Sequence, residues 1–206
     1  MAGAPRRRPL IPPSGVEIRQ ATPADLPACA RLGARLSRLH HRLDPQRFFA
    51  PPDLEAGYAW WLAKERRSRR AVVLAAVRQG KGGRQAVVGY AYGRLEPRDW
   101  NSLRDACGVG VDLIVEPRWR RRGLGARLMA ALGEALRARG APRLIVQVAA
   151  RNPQAIRTFE ALGFRPTLLE LTLEFPAPRS PRAARAVRRP GGGRAVSPAR
   201  PTRPAR

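Results

Sequence analysis

A basic turn that carries two glycines is the part of this sequence best suited to bind a ligand. It contains Arg120, Arg121 and Arg122 and continues into Gly123 and Gly125. An apolar segment precedes the turn and a long amphipathic segment follows it, so the pattern predicts a strand, a turn and the start of a helix. A helix N-terminus exposes unpaired N–H groups and the positive end of its dipole, and glycines let a ligand approach this backbone. We therefore expect an anion site, with a pyrophosphate as its natural ligand.

The spacing of the turn separates several kinds of phosphate site. A dinucleotide-binding turn of the GxGxxG type needs a glycine at position 128, which is Leu128. The P-loop pattern, GxxxxGK followed by Ser or Thr, is absent from the sequence. The pattern that the turn does contain is Arg120-x-x-Gly123-x-Gly125. Three consecutive arginines are by themselves an ordinary exposed turn, but their position before Gly123 and a helix start favours phosphate binding.

A single acid interrupts the apolar strand before this turn. Asp112 lies within the apolar segment 109–115. An ionisable side chain inside such a strand is costly unless it is paired or functional. Two interpretations stay open, a general base and a structural hydrogen-bonding acid. Glu116, at the end of the strand, is expected to be a solvated acid.

A second motif follows about thirty residues after the turn and runs from Asn152 through Phe159 to Gly163-Phe164. It is similar to the NxxAxxxYxxxGF motif of the GNAT superfamily of N-acetyltransferases, and the basic turn resembles the pyrophosphate loop of the same family. Both motifs lie within residues 109–165 in the family's order. The resemblance implies an enzyme that transfers an acetyl or other short acyl group from acetyl-CoA to an amine.

The resemblance also implies which residues hold acetyl-CoA. In the family, the strand before the loop splays from its neighbour and pairs with the pantetheine arm, the loop binds the pyrophosphate, and the asparagine lies near the thiol or pantetheine. Carried over, the cofactor-binding residues are Leu113, Ile114 and Val115 in the strand, Arg120, Arg121, Arg122, Gly123, Leu124, Gly125 and Ala126 in the loop, and Asn152 and Phe159 in the second motif. The sequence suggests no metal site.

Two positions bear on the catalytic chemistry. Phe159 stands where the family usually has a tyrosine thought to protonate the departing thiolate. Phenylalanine has no exchangeable proton, so that role is vacant, passes to water or another group, or is dispensable because a thiolate leaves readily. Asp112 matches a subset of the family, including some aminoglycoside acetyltransferases, that carries an aspartate at this place. Other members use a neighbouring glutamate or ordered water. Asp112 is therefore the candidate catalytic base.

The elements that must position these residues are predicted in the order β-α-α-β-β-β-α-β-α-β. Capping residues and apolar periodicity place strands at 16–19, 71–77, 86–95, 109–115, 143–148 and 167–175, and helices at 23–39, 53–67, 123–139 and 153–162. Thr22 and Asp25 have the spacing of a capping box at the first helix. The order predicts an α/β fold with a mixed central sheet, helices on both faces and a central βαβ unit. The GNAT resemblance adds that the sheet is splayed.

The acceptor site is expected to be shaped by the first two helices and by the loop 95–108. His40 and His41 either line that pocket or form a surface pair. The aromatic residues Tyr58, Trp60, Trp61, Tyr90 and Tyr92 either shape the pocket or belong to the core.

Charge is concentrated at the ends of the chain, which has 206 residues and a net charge of +25. This length suits one domain. Residues 176–206 hold nine arginines and no acid, and residues 1–15 form a shorter basic, proline-rich segment. Such segments bury too little apolar surface to offset their ordering entropy. We expect a disordered extension (1–15), an acetyltransferase domain (16–175) and a disordered tail (176–206) that can contact polyanions.

Cysteine usage and hydropathy predict a soluble, cytoplasmic protein without membrane contact. Cys29 and Cys107 lie far apart without CxxC spacing, which fits two reduced thiols. The N-terminus lacks the apolar stretch of about 7–15 residues found in signal peptides, and no run approaches the roughly 20 residues of a membrane span.

Two functions follow from the sequence. The first is an N-acetyltransferase in which a small-molecule or peptide amine attacks the thioester directly. The second is a non-catalytic CoA-binding module that acts through its basic tail on nucleic acid or acidic partners, an alternative that Phe159 favours. The sequence names neither the acceptor nor the oligomeric state.

Overall fold

A computed structural model describes residues 15–175 of the chain. Its helices and strands are β1 (Val16–Gln20), α1 (Leu26–Leu43), α2 (Leu54–Arg66), β2 (Ala71–Gln79), β3 (Gln85–Glu96), β4 (Cys107–Val115), α3 (Leu124–Arg137), β5 (Leu144–Val146) and α4 (Pro153–Ala161). The first nine predicted elements are confirmed in order, although β5 is shorter than predicted and α1 is longer. The predicted tail and all but the last residue of the predicted N-terminal extension lie outside the described residues.

Five strands form one mixed sheet in the order β1-β2-β3-β4-β5. Neighbours are antiparallel from β1 to β4, whereas β4 and β5 are parallel and are connected through α3. This parallel pair is the predicted βαβ unit. Its pairing is short, since only residues 108–110 of β4 face β5. Beyond that point β4 continues without β5, so the predicted splay of the sheet is confirmed.

The predicted closing strand over residues 167–175 is wrong. Residues 166–175 form no strand, and the apolar side chains of Leu169, Leu171 and Leu173 are exposed. Alternating apolar and polar residues favour an extended chain, but a strand also requires a neighbour that supplies ladder hydrogen bonds. The alternation in this segment did not specify such a neighbour.

Strand β2 is buried on both faces and divides the core into two layers. Successive side chains of a strand point to opposite faces. Val72 and Leu74 belong to the apolar cluster that α3 covers, whereas Val73 and Ala75 belong to the cluster that α1 and α2 cover. Helices therefore lie on both faces of the sheet, as the sequence predicts.

The start of α1 is fixed by the carboxylate of Asp25. Its Oδ2 accepts hydrogen bonds from the N–H and the hydroxyl of Thr22, both at 2.7 Å, and from Nη1 of Arg19 at 2.6 Å. The predicted capping spacing is thus used, although Pro23–Asp25 forms a 3-10 turn and the α-helix begins at Leu26. Because Arg19 belongs to β1, this bond ties α1 to the edge of the sheet.

Gly33 lies at the closest approach of α1 to α2 and to the sheet. A Cβ at this position would collide with the ring of Tyr58, on α2, and would lie 2.8 Å from the hydroxyl oxygen of Tyr90, on β3. The missing side chain allows three elements to meet around two tyrosines.

We expect Gly33→Ala to lower the free energy of unfolding by about 1–3 kcal/mol, the usual cost of overpacking a filled site. Gly57→Ala is the matched control, because Gly57 is also helical and a Cβ there meets nothing within 4 Å. It should raise the free energy of unfolding by about 0.5–1 kcal/mol through helix propensity. Urea unfolding measures both, and equal effects would contradict the tight packing at Gly33.

Candidate active site

Asp112 lies directly after a bulge in β4. The register between β3 and β4 shifts so that Gly110 and Asp112 face successive residues of β3, and Val111 is left without a partner there. A bulge bends its strand and re-aims the side chains that follow. Val111 is 44% exposed, whereas Asp112 is buried on the face covered by α1 and α2. The bulge therefore directs an acid into the core.

Among the described residues, the carboxylate of Asp112 has one hydrogen-bond donor. The hydroxyl of Tyr90 donates to its Oδ2 at 2.6 Å, and Asp112 is only 6% exposed. Burial raises the pKa of Asp112 from 3.8 to about 6, and the bond from Tyr90 opposes this rise. The group that opposes the shift is thus a phenol. Asp112 is mostly ionised at neutral pH, yet it is a better proton acceptor than a surface carboxylate.

Tyr58, on α2, lies near Tyr90 and experiences the charge of this buried acid. Its hydroxyl shares a hydrogen bond of 2.9 Å with Oγ of Ser37. Burial and then the charge of Asp112 raise the pKa of Tyr58 to about 12, and burial raises that of Tyr90 well above its usual value. Both phenols therefore stay protonated and uncharged at neutral pH.

A cleft of about 380 Å³ opens beside Tyr58, between the end of α1, the segment 44–53 and α2. Its size falls in the usual range of small-molecule sites. Its lining includes four aromatic side chains, Phe48, Phe49, Tyr58 and Trp61, and four polar ones, Ser37, His40, Arg47 and Asp53.

Three of the acceptor candidates named from the sequence, His40, Tyr58 and Trp61, line this cleft. Tyr90 and Tyr92 are fully buried core residues, and Trp60 is 68% exposed and is not among the lining residues. His41 instead donates from Nδ1 to the carbonyl oxygen of Phe48 at 2.6 Å, which holds the segment after α1 in place.

Sequence reasoning missed Ser37, Phe48, Phe49 and Asp53, which also line the cleft. The last three lie in a proline-containing connection without periodicity. Two adjacent phenylalanines in a segment that is otherwise polar were the signal that could have identified it.

The second half of β4 presents main-chain groups to an open edge. The N–H of Glu116 donates to β3 at 2.9 Å, so Asp112 and Ile114 also bond towards β3. In an antiparallel pair the intervening residues face the other way. Leu113 and Val115 therefore direct their N–H and C=O groups to the side that β5 leaves open.

The loop after β4 holds two residues in left-handed conformation, Arg121 with φ 58° and Gly123 with φ 74°. Such φ values are uncommon for residues with side chains and cluster at ligand sites. Helix α3 begins at Leu124, and the N–H groups of Leu124, Gly125 and Ala126 find no acceptor in the described part of the chain. The structure thus contains the predicted helix N-terminus with free donors.

The three arginines of this loop differ in their contacts. Nε of Arg120 donates to the carbonyl oxygen of Val115 at 2.9 Å, so Arg120 fastens the loop to the strand. Arg121 and Arg122 are exposed, and the guanidinium of Arg122 lies 5.4 Å from the ring centre of Trp119. Two of the three predicted arginines are therefore available to an anion.

The second motif forms the start and the half-buried side of α4. Oδ1 of Asn152 accepts a hydrogen bond from the N–H of Ala155 at 3.1 Å, so Asn152 caps the helix. Phe159 packs edge-on against Phe164 at 5.5 Å and against the α3 side of the core. The ring that replaces the family's tyrosine thus has a packing role.

The profile of the Acetyltransferase (GNAT) family matches residues 35–164. This span contains β4, the glycine-bearing loop and all the residues that line the cleft. The chain belongs to the GNAT acetyltransferase family. The GNAT resemblance of the two sequence motifs is thereby confirmed.

Solved structures show the same GNAT fold. A Bacillus halodurans protein solved as a tetramutant has a TM-score of 0.63 and 23% identity, over 78% of this chain and 99% of its own. A Trypanosoma brucei acetyltransferase has a TM-score of 0.55 and 26% identity, over 78% and 99%. The aminoglycoside N-acetyltransferase AAC(6')-Iy, solved with CoA, has a TM-score of 0.60 and 18% identity, over 80% and 99%.

Within residues 15–175 no group of three or more His, Cys, Asp or Glu side chains is arranged to hold a metal ion. No helix in that range is both long and apolar enough to cross a membrane. Cys29 and Cys107 are buried free thiols.

The raised pKa of Asp112 predicts how stability depends on pH. Because its pKa is higher in the folded protein, the stability that this group contributes is fully present below about pH 4 and is lost as the pH rises through about 6. At neutral pH the buried charge costs up to about 3 kcal/mol. Asp112→Asn should therefore be more stable than the wild type at pH 7.5, and the advantage should shrink towards pH 4.

Asp25→Asn is the control, because the opposite change in stability is expected for it. Burial favours a higher pKa for Asp25, but its bonds from Arg19 and Thr22 outweigh burial and lower it. This variant should be less stable than the wild type at pH 7.5 and should approach it in acid. Urea midpoints across pH measure both, and a lower stability of Asp112→Asn at pH 7.5 would contradict the buried, weakly paired charge.

Proposed function

We propose that this GNAT protein transfers an acetyl or short acyl group from acetyl-CoA to a primary amine by direct attack. The observation that carries the proposal is the buried Asp112 on β4. Its partner Tyr90 lies with Tyr58, a residue in the wall of the aromatic-lined cleft, around Gly33, and β4 has an open edge beyond its pairing with β5. An amine is protonated in solution and must lose a proton before it can attack. A carboxylate with a pKa of about 6 suits that task near neutral pH.

Coenzyme A fits the loop that follows β4. The free N–H groups at the start of α3 and the exposed cations of Arg121 and Arg122 complement a pyrophosphate. A Cβ at Gly125 would meet only Val115, at 3.8 Å, so the space beside this backbone is open. Nη1 of Arg127, on the first turn of α3, is buried and has no hydrogen-bond partner within residues 15–175, so the start of this helix has unused donors.

The main chain of β4 is proposed to hold the pantetheine arm. Leu113 and Val115 face the open edge, and Ile114 fixes their direction by bonding to β3. The carbonyl oxygen of Val115 already accepts from Arg120, which leaves Leu113 with the freest groups. Asn152 has its Oδ1 engaged in capping, so its amide N–H groups are the part that can reach a ligand.

When bound, acetyl-CoA supplies a thioester whose acyl group passes to the amine nitrogen as CoA thiol is released. In this protein Asp112 accepts the proton that the amine loses, and Tyr90 stabilises the charged form of Asp112. Phe159 cannot donate a proton to the departing sulfur. The proton that completes the thiol comes from water or from another group.

The neighbours support an amine as the acceptor. AAC(6')-Iy is an aminoglycoside N-acetyltransferase and has also been solved with a bisubstrate analogue, and a related soil metagenomic enzyme has been solved with sisomicin. These proteins share the fold at low identity, so the amine acceptor of this chain is a proposal, as is its cytoplasmic location.

Two variants should separate donor binding from proton transfer. Gly125→Asp places a negative side chain where the pyrophosphate is expected, so it should abolish the thermal stabilisation by acetyl-CoA, which amounts to about 2.7 kcal/mol at a hundredfold excess over Kd. Asp112→Asn keeps shape but accepts no proton, so it should retain that stabilisation and lower turnover by about 10²–10⁴. Ala130→Asp, on the exposed side of α3, is the control and should match the wild type.

The assays are thermal unfolding with acetyl-CoA and release of CoA thiol in the presence of amines. If acetyl-CoA still stabilises Gly125→Asp, the loop does not bind acetyl-CoA. Near-wild-type turnover of Asp112→Asn would remove Asp112 as the base. Donor binding without thiol release for any amine would favour a non-catalytic CoA-binding module.

A further inference from the structure

The cleft beside Tyr58 has several aromatic rings in its lining. Phe48, Phe49, Tyr58 and Trp61 line it, and Phe49 is 83% exposed. Aromatic rings gain stability when other rings stack against them or meet them edge-on. A flat apolar ligand would cover the exposed ring of Phe49.

The cleft carries little negative charge. Asp53 is the carboxylate among the lining residues that the structure describes, and Arg47 adds a cation whose guanidinium lies 5.2 Å from the ring centre of Phe48. Burial lowers the pKa of His40, so this ring is neutral at neutral pH. An acceptor with several ammonium groups would place most of them without a carboxylate to pair with, which costs free energy.

The cleft is also close to the proposed chemistry. Tyr58 lies in its wall, packs with Tyr90 around Gly33 and experiences the charge of Asp112. A ligand whose amine points inward along Tyr58 would therefore present that amine towards the buried acid, while its body remains among the rings.

We infer that the acceptor is a small amine with a single positive charge on an aromatic or similarly flat apolar body. This inference rests on the acetyltransferase function proposed above. It sets the protein apart from enzymes that acetylate polycations. The one carboxylate among the described residues that line the cleft suits one ammonium group, and the aromatic lining suits one ring system.

The inference is tested by measuring kcat/KM of the wild-type protein for five acceptors. These are phenethylamine, tryptamine, spermine, kanamycin and a short peptide with a free N-terminus. We expect kcat/KM, from thiol release, to be at least tenfold higher for the two aromatic monoamines than for the other three. Calorimetry of phenethylamine binding in the presence of CoA provides a readout independent of turnover.

A matched pair of variants assigns the preference to the cleft. Phe49→Ala removes a lining ring without adding a charge and should lower kcat/KM and affinity for phenethylamine by about tenfold. Trp60→Ala removes an exposed aromatic residue that is not among the lining residues, and it should change neither value.

The outcomes separate this inference from the proposed function. Higher kcat/KM for spermine, kanamycin or the peptide would overturn the aromatic monoamine and leave acetyl transfer standing. Equal effects of Phe49→Ala and Trp60→Ala would overturn the cleft as the acceptor site. Absence of thiol release with every amine, while acetyl-CoA binds, would overturn the proposed function and the inference with it.

Discussion

The hydrogen bond from Tyr90 to the buried carboxylate of Asp112 is the interaction on which the rest of the site depends. Burying a charge with a single donor costs free energy, and the protein accepts that cost inside a packed core. The other buried aspartate, Asp25, shows what a structural acid looks like here, since it is bonded by both Arg19 and Thr22. The contrast favours a functional role for Asp112, because pairing alone does not account for its burial.

Strand β4 contributes both to the proposed binding of acetyl-CoA and to the proposed proton transfer. Strand β4 uses its main chain on the edge that β5 leaves open and the side chain of Asp112 on the face beneath α1 and α2. The short pairing with β5 exposes the edge, and the bulge at Val111 directs the acid. The loop that follows starts α3 with free N–H groups, so the anion site proposed for coenzyme A belongs to the same βαβ connection. Changes of one residue in the register of β4 would turn Asp112 to the other face.

Local patterns in the sequence were sufficient to predict most of the fold and the glycine-bearing loop before α3. The helix start after Gly123 follows from composition and periodicity, and both are properties of neighbouring residues. The bond between Tyr90 and Asp112 joins residues 22 positions apart on different strands, and its register depends on a bulge that no local pattern marks. Phe49 belongs to a connection without periodicity, so its place in the cleft depends on tertiary packing. The predicted strand over 167–175 failed because alternation does not supply a partner strand.

The pH dependence of kcat/KM for one confirmed amine, in the wild type and in Tyr90→Phe, tests most directly whether Asp112 accepts the proton. The wild type should lose activity as the pH falls through about 6, the pKa of Asp112. Removing the Tyr90 hydroxyl removes the group that opposes the effect of burial, so the acid limb should move to higher pH. Tyr92→Phe is the control, because Tyr92 donates to Glu65 at 2.6 Å instead, and its acid limb should stay in place. An acid limb that does not move in Tyr90→Phe, or that moves equally in both variants, would contradict the account.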